Sequence, residues 1–325
     1  MKFSIHHQLP VLPNQKQEER IRDTIEQIKA AEDLGFHAIW QAEGHFYPLH
    51  SIISAPLVYS SFVASQTSRI RIGTAAVSLP VHHPLSVLEE ALTVDALSCG
   101  RLELGVGRGG VPFQFVGYGI PKDEIDDRYE ESLSIIEHGW KNGFVQANGK
   151  HFKIPKVDIY PRPQQKSPPI SVVVRSEPGI REAASQGWPA IISLMIHRMN
   201  GNLAEMADAY YKSFREVDKR KPHLSVVVPV FVGESSKGVR ATIERSVYDI
   251  YRRNFGGIVN YAILEQTAAA WGNADTVLSN LKAVKDLTKA EEIVGWFNLG
   301  GLVGHRETLQ SMQLFAHSVM GRLND

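Results

Sequence analysis

The chain has 325 residues, 43% apolar and 22% charged, which supplies a large core and excludes a disordered chain. Lys plus Arg and Asp plus Glu both number 35, a balance that argues against a nucleic-acid groove or an anionic membrane surface, so a charged ligand must be held by a local cluster. The lone cysteine, Cys99, rules out an internal disulfide and a Cys-based zinc site. With no signal-like start and no apolar run of about 18 residues, the expected setting is cytoplasmic, without membrane contact.

Residues 3–6 read as a first strand and 17–34 as a helix, with Ile21, Ile25, Ile28, Ala31 and Leu34 at helical spacing and Gly35 as its stop. A second strand over 38–41 runs into Ala42-Glu43-Gly44-His45, and a helix of small and apolar residues follows over 54–65. A third strand covers 70–77, a helix opened by Pro84 covers 84–97, and a fourth strand over 102–106 enters Gly107-Arg108-Gly109-Gly110. The helix over 126–140 carries acidic residues at its front, which suits the helix dipole. Residues 145–168 break the rhythm as an insertion or small hairpin. Strands over 170–174 and 190–194 then enclose a helix over 177–186. A helix over 204–217, a strand over 224–232, a helix over 239–253, a second insertion over 255–272, a helix over 275–284, a strand over 293–299 and a helix over 307–320 complete the chain.

Strands alternating with helices imply parallel pairing, and about eight such units predict a (β/α)₈ TIM barrel, one α/β domain over 1–325 with two insertions. The alternative is an open doubly wound sheet, which prefers a glycine-rich turn after the first strand, where His6-His7-Gln8 stands.

In a barrel the reactive groups lie on the loops after the strands. Arg175 and Ser176 follow one strand and open a helix in which Ser176 is a plausible N-cap and Gly179 sits in the first turn. Arg108 stands on a glycine-rich turn after another strand. Two guanidinium groups and a helix start suit a phosphate; the plain alternative is a capped helix beside a solvated arginine. Among the 13 histidines, His6 and His7 are adjacent on a strand and so face opposite sides, and neither HxH nor HExxH occurs, so no metal is expected. His45, two residues after Glu43, is the candidate acid, base or hydrogen-bond donor, while His82-His83-Pro84 reads as a loop packed under the rim. No Walker-type loop or Gly-x-Ser-x-Gly elbow occurs, and no nucleotide-binding Gly-x-Gly-x-x-Gly follows the first strand.

Trp40-Gln41-Ala42-Glu43-Gly44-His45-Phe46, Gly73-Thr74-Ala75-Ala76-Val77-Ser78-Leu79-Pro80, His83-Pro84-Leu85, the run from Gly100 to Gly109 and the tail from Gly304 to Met320 resemble the bacterial luciferase-like flavin-dependent monooxygenases. The resemblance covers most of the chain and implies a barrel binding reduced FMN at its C-terminal rim. It implies a cis peptide between Ala75 and Ala76 against the flavin ring, with Arg108 and Ser176 on the phosphate and Arg175 and Gly179 beside them. Arg175 and Gly179 replace an acidic residue and a hydroxyl of the light-emitting members. Gly44 stands where those members carry their catalytic histidine, and Gly107 where they have a cysteine, so light emission is not expected. The implied reaction is oxygenation of a small organic substrate by a flavin hydroperoxide, with FMNH₂ supplied by a separate flavin reductase, in a homodimer. A deazaflavin coenzyme used for hydride transfer is the alternative, and a flavin-binding protein without turnover is the third.

Overall fold

The computed structural model describes residues 1–199, 201–217, 220–246 and 270–324. Eight strands, β1 (Lys2–His7), β2 (Ala38–Gln41), β3 (Arg71–Thr74), β4 (Leu102–Gly107), β5 (Ile170–Val173), β6 (Ala190–Ser193), β7 (Leu224–Val232) and β8 (Glu292–Trp296), pair in parallel in that order, and β8 returns to β1. The crossovers carry α1 (Gln17–Asp33), α2 (Pro56–Gln66), α3 (Pro84–Leu97), α4 (Ile125–Asn142), α5 (Glu177–Ser185), α6 (Leu203–Ser213), α7 (Ala274–Thr288) and α8 (His305–Phe315). The result is the closed (β/α)₈ barrel that the alternation predicts. Among the described residues no helix is long and apolar enough to cross a membrane.

The structure departs from the sequence reading in a few places. The strand read over 70–77 breaks at the cis Ala75–Ala76 peptide and resumes as Val77–Ser78, now paired with β4. Two alanines carry no turn signal, so a continuous strand was the natural reading. The first insertion is the antiparallel hairpin Phe144–Asn148 with Lys153–Asp158. Most of the second insertion, and the end of the helix read over 239–253, fall outside the described residues. Ala270–Gly272, assigned to that insertion, is a short strand parallel to β7.

Strand alternation sorts side chains into two layers. Ile5, Ile39, Ile72, Leu104, Val172, Ile192, Val226 and Ile293, one from each strand, point outward and are buried in the layer shared with the helices. Each such burial contributes about 1.5–3 kcal/mol relative to exposure. The lumen holds a separate cluster of Ala38, Trp40, Ile191 and Val294. The Trp40 indole lies against Gly73 and Gly105: a Cβ at Gly73 would collide with its six-membered ring, and one at Gly105 would stand 3.3 Å from Cζ3 and overlap the Thr74 carbonyl. Gly73 is therefore glycine because the tryptophan fills the space in front of it, and Gly105 because the Thr74 carbonyl does, with the same ring close by.

Beneath that indole sits Glu292, fully buried. It accepts hydrogen bonds from Trp40 Nε1 at 3.2 Å, His223 Nε2 at 3.1 Å, Ser225 Oγ at 2.6 Å and, across β1, the Ser4 hydroxyl. Burial pushes its carboxyl upward, but the donors, His223 first, outweigh burial and hold it at about 2. A carboxyl held below its ordinary value of 4.5 adds stability above that pH and gives it up as pH falls toward 2. Glu292→Gln, which keeps the shape and removes the charge, is expected to cost about 1.5–3 kcal/mol at neutral pH. Urea unfolding should show this deficit shrinking as pH falls from about 5 toward 3. A deficit independent of pH would contradict this assignment.

Candidate functional site

The C-terminal ends of β4 and β5 place two cationic loops side by side. Ser176 caps α5, its Oγ accepting from Gly179 N at 3.4 Å, because its extended backbone turns the hydroxyl back over the first helical turn. A Cβ at Gly179 would stand 3.2 Å from Ser176 Oγ and 3.9 Å from Arg108 Nη1. Arg108, Ser176 and Gly179, singled out from distant parts of the sequence, thus face one small space at a helix start, a cradle that a side chain at 179 would fill. The arrangement fits an anionic phosphate.

Arg108 is not a free cation. Its Nε donates to Asp126 at 2.9 Å and its Nη2 to Glu182 at 2.8 Å, Glu130 lies 3.8 Å away, and the guanidinium stacks 4.1 Å over Tyr129. Burial disfavours the charge, and Glu182 with Asp126 outweighs burial, so the group stays protonated. Nη1 alone is left for a ligand among the described residues. The acidic front of α4 therefore orients Arg108, a role that dipole reasoning from sequence missed. Arg175 points elsewhere on the same rim, with Nη1 3.4 Å from the Gly110 carbonyl and no carboxylate partner among the described residues.

Inward from this cradle lies the barrel mouth. Ala75 and Ala76, joined by a cis peptide, and Val173, Ser193, Val227 and Trp296 are partly exposed, whereas the outward residues between them are buried. Solvent thus reaches the upper lumen above the Trp40 floor. At Gly107 a Cβ would stand 3.3 Å from the Ala76 Cβ, so the bare backbone keeps the wall beside Ala76 thin.

A third group occupies the rim above β2 and β3. Glu43, buried, accepts from His45 Nε2 at 2.7 Å and Gln114 Nε2 at 3.4 Å on one oxygen, and from His82 Nε2 and Ser78 N, each at 3.1 Å, on the other. The Tyr118 hydroxyl lies 3.3 Å from His45 Nδ1. Burial raises the Glu43 carboxyl, but the bonds from His45 and His82 lower it further, and it is ionised; burial lowers His82, and Glu43 overrides this and raises it. Donor atoms of Glu43, His45 and His82 fall within 4.8 Å of one another, a spacing compatible with metal ligation, while the direct contacts describe a proton-holding network. His45 thus uses both ring nitrogens inside this network. Sequence reading named His45 and placed His82 in a packing loop. The link between them is Glu43, which is legible only once β2 and the 79–82 turn are brought together.

The family model described as luciferase-like monooxygenase matches residues 1–292. The oxygenase component of the flavin-dependent trigonelline monooxygenase of Acinetobacter baylyi is 27% identical over 261 residues, covering 79% of this chain and 71% of that protein. The chain spans about half the length of the first two curated relatives it matches, both uncharacterized Sinorhizobium fredii proteins, at 37% and 35% identity. In fold, monooxygenase RslO1 from Streptomyces bottropensis superposes with a TM-score of 0.86 at 22% identity, covering 99% of both chains. The oxygenating constituent of 3,6-diketocamphane monooxygenase from Pseudomonas putida, in complex with FMN, gives 0.80 at 19% identity, covering 99% and 98%. With the family model matching most of its length, the chain belongs to the luciferase-like monooxygenase family.

Proposed function

We propose that this chain is the oxygenase of a two-component system, taking reduced FMN from a separate flavin reductase and using dioxygen to oxygenate a small organic molecule. The observation that carries this reading is the meeting of Arg108 Nη1, Ser176 Oγ and the Gly179 N–H at one helix start. The FMN complex of a protein with this fold and the oxygenase-component relative support it. In this reading Arg108, Ser176 and Gly179 hold the phosphate, and Ala75 and Ala76 with Val173 form the apolar platform for the ring. The closed floor at Trp40 excludes water from below. Reduced flavin, when bound, supplies the electrons that activate dioxygen. Glu43 and His82 are hydrogen-bonded at the rim, and His45, held between Glu43 and Tyr118, donates from Nε2 near the mouth.

A second reading, a deazaflavin coenzyme used for hydride transfer, is favoured by Arg175 alone, since a longer anionic tail would use that rim cation, which has no carboxylate partner among the described residues. We further infer a homodimer through α2 and α3, where Val58, Phe62 and Leu97 are 64%, 47% and 61% exposed.

Fluorescence titration with FMN and with a deazaflavin coenzyme tests the cofactor. FMN should bind preferentially. Arg108→Ala should weaken FMN about 10–100-fold and Ser176→Ala less, as lost charge-assisted hydrogen bonds require. Glu182→Gln, which removes a competing anion, should strengthen it; an Arg108→Ala variant with undiminished FMN affinity would refute the phosphate assignment. Phe62→Asp should convert a dimer to a monomer in sedimentation equilibrium, and a wild-type chain that sediments as a monomer would refute the interface.

A further inference from the structure

On the wall opposite the cradle, His6 is the penultimate residue of β1 and Trp296 ends β8, one step above the paired Ile5 and Gly295. Their rings meet edge to face, with centroids 5.3 Å apart and planes at 88°. His6 is only 8% exposed, and its Nδ1 has no hydrogen-bond partner among the described residues. The same holds for the buried Nε1 of Trp296. Buried ring nitrogens have given up water and normally find a replacement, so two unmet ones side by side at an open mouth mark a place for a bonded partner. Glu292 accepts from Trp40 further down the lumen, and the Glu43 network lies on the rim above β2 and β3, so neither reaches this pair.

The two nitrogens differ in kind. Indole N–H only donates. Burial first, and His50 second, lower the His6 pKa to about 4, so the imidazole is neutral at physiological pH. With its single proton on Nε2, the unmet Nδ1 offers a lone pair. A donor and an acceptor thus stand next to each other, and Trp296 packs against an apolar cluster that includes Phe231, Trp271 and Leu299. Few polar groups on an apolar wall are what orients a small ligand.

We propose that His6 and Trp296 form the polar end of the substrate pocket, with the indole N–H donating to a substrate oxygen and His6 Nδ1 accepting from an adjacent N–H or O–H. The preferred substrate then carries an acceptor and a donor on one edge, as a lactam or a secondary amide does, and is not a bare hydrocarbon chain. This rests on the flavin occupying the cradle side of the mouth.

The test titrates the protein, with and without FMN, with 2-pyridone, N-methyl-2-pyridone and toluene, following the indole ¹⁵N–H signal of Trp296, assigned through Trp296→Phe. 2-Pyridone should bind about ten times more tightly than its N-methyl analogue and shift that signal, as the loss of one matched hydrogen bond at a buried site requires. His6→Phe and Trp296→Phe should each lose about tenfold in 2-pyridone affinity with FMN affinity unchanged, and His6→Asn, which keeps an acceptor, should retain most of it. Equal binding of the three probes, or binding of none, would overturn the proposal and leave ordered water as the partner. Variants that lose FMN affinity and keep 2-pyridone affinity would also overturn it, assigning the pair to the flavin. Failure of the wild-type protein to take up FMN would refute the cofactor reading alone, since the probe titration without FMN still decides the pair.

Discussion

The hydrogen bond from Trp40 to Glu292 is the constraint from which the functional end of this barrel follows. One aromatic ring, tied to a buried carboxylate, closes the lumen about halfway up. Because the indole fills the lumen, β3 carries glycine where it passes the ring. The carboxylate below ties β1, β2, β7 and β8 together through Ser4, Trp40, Ser225 and Glu292 itself. A barrel lumen is ordinarily packed throughout. Here Trp40 and the buried Glu292 fill the lumen, and partly exposed residues line the mouth above them.

Around the mouth the functional groups are separated by strand order. The two arginine-bearing loops follow β4 and β5, the ionised Glu43 with its two histidines stands over β2 and β3, and the unmet nitrogens of His6 and Trp296 close the ring at β8 and β1. The acids of α4 and α5 hold Arg108 in place before any ligand arrives. They lessen its net attraction for a phosphate and in return reduce the ordering needed on binding. Rigidity and affinity are balanced at that one side chain.

Much of this was legible in the sequence. Helical spacing over α1, Pro84 at the start of α3 and the apolar run of β7 are local signals, and they fall where the structure has them. The expectation that His6 and His7 face opposite sides also follows from strand alternation alone. Arg108 and Ser176 could be paired from sequence because each follows a strand and precedes a turn or helix start. What stayed hidden depends on long-range contact. The break at Ala75–Ala76 leaves no compositional trace, Asp126 and Glu182 reveal their hold on Arg108 only when α4 and α5 lie adjacent, and Glu43 joins His45 to His82 across separate loops. Trp40 reads as an ordinary strand residue until Gly73 is seen to be its consequence.

The central claim is that an anionic phosphate is gripped between the β4 and β5 loops. Phosphorus-31 NMR of FMN bound to the protein measures this directly. A phosphate held by Arg108 and the α5 start should stay dianionic, with a resonance that does not titrate between about pH 5 and 8. A bound-state resonance that titrates near pH 6, as a solvent-exposed phosphate monoester does, would contradict the account.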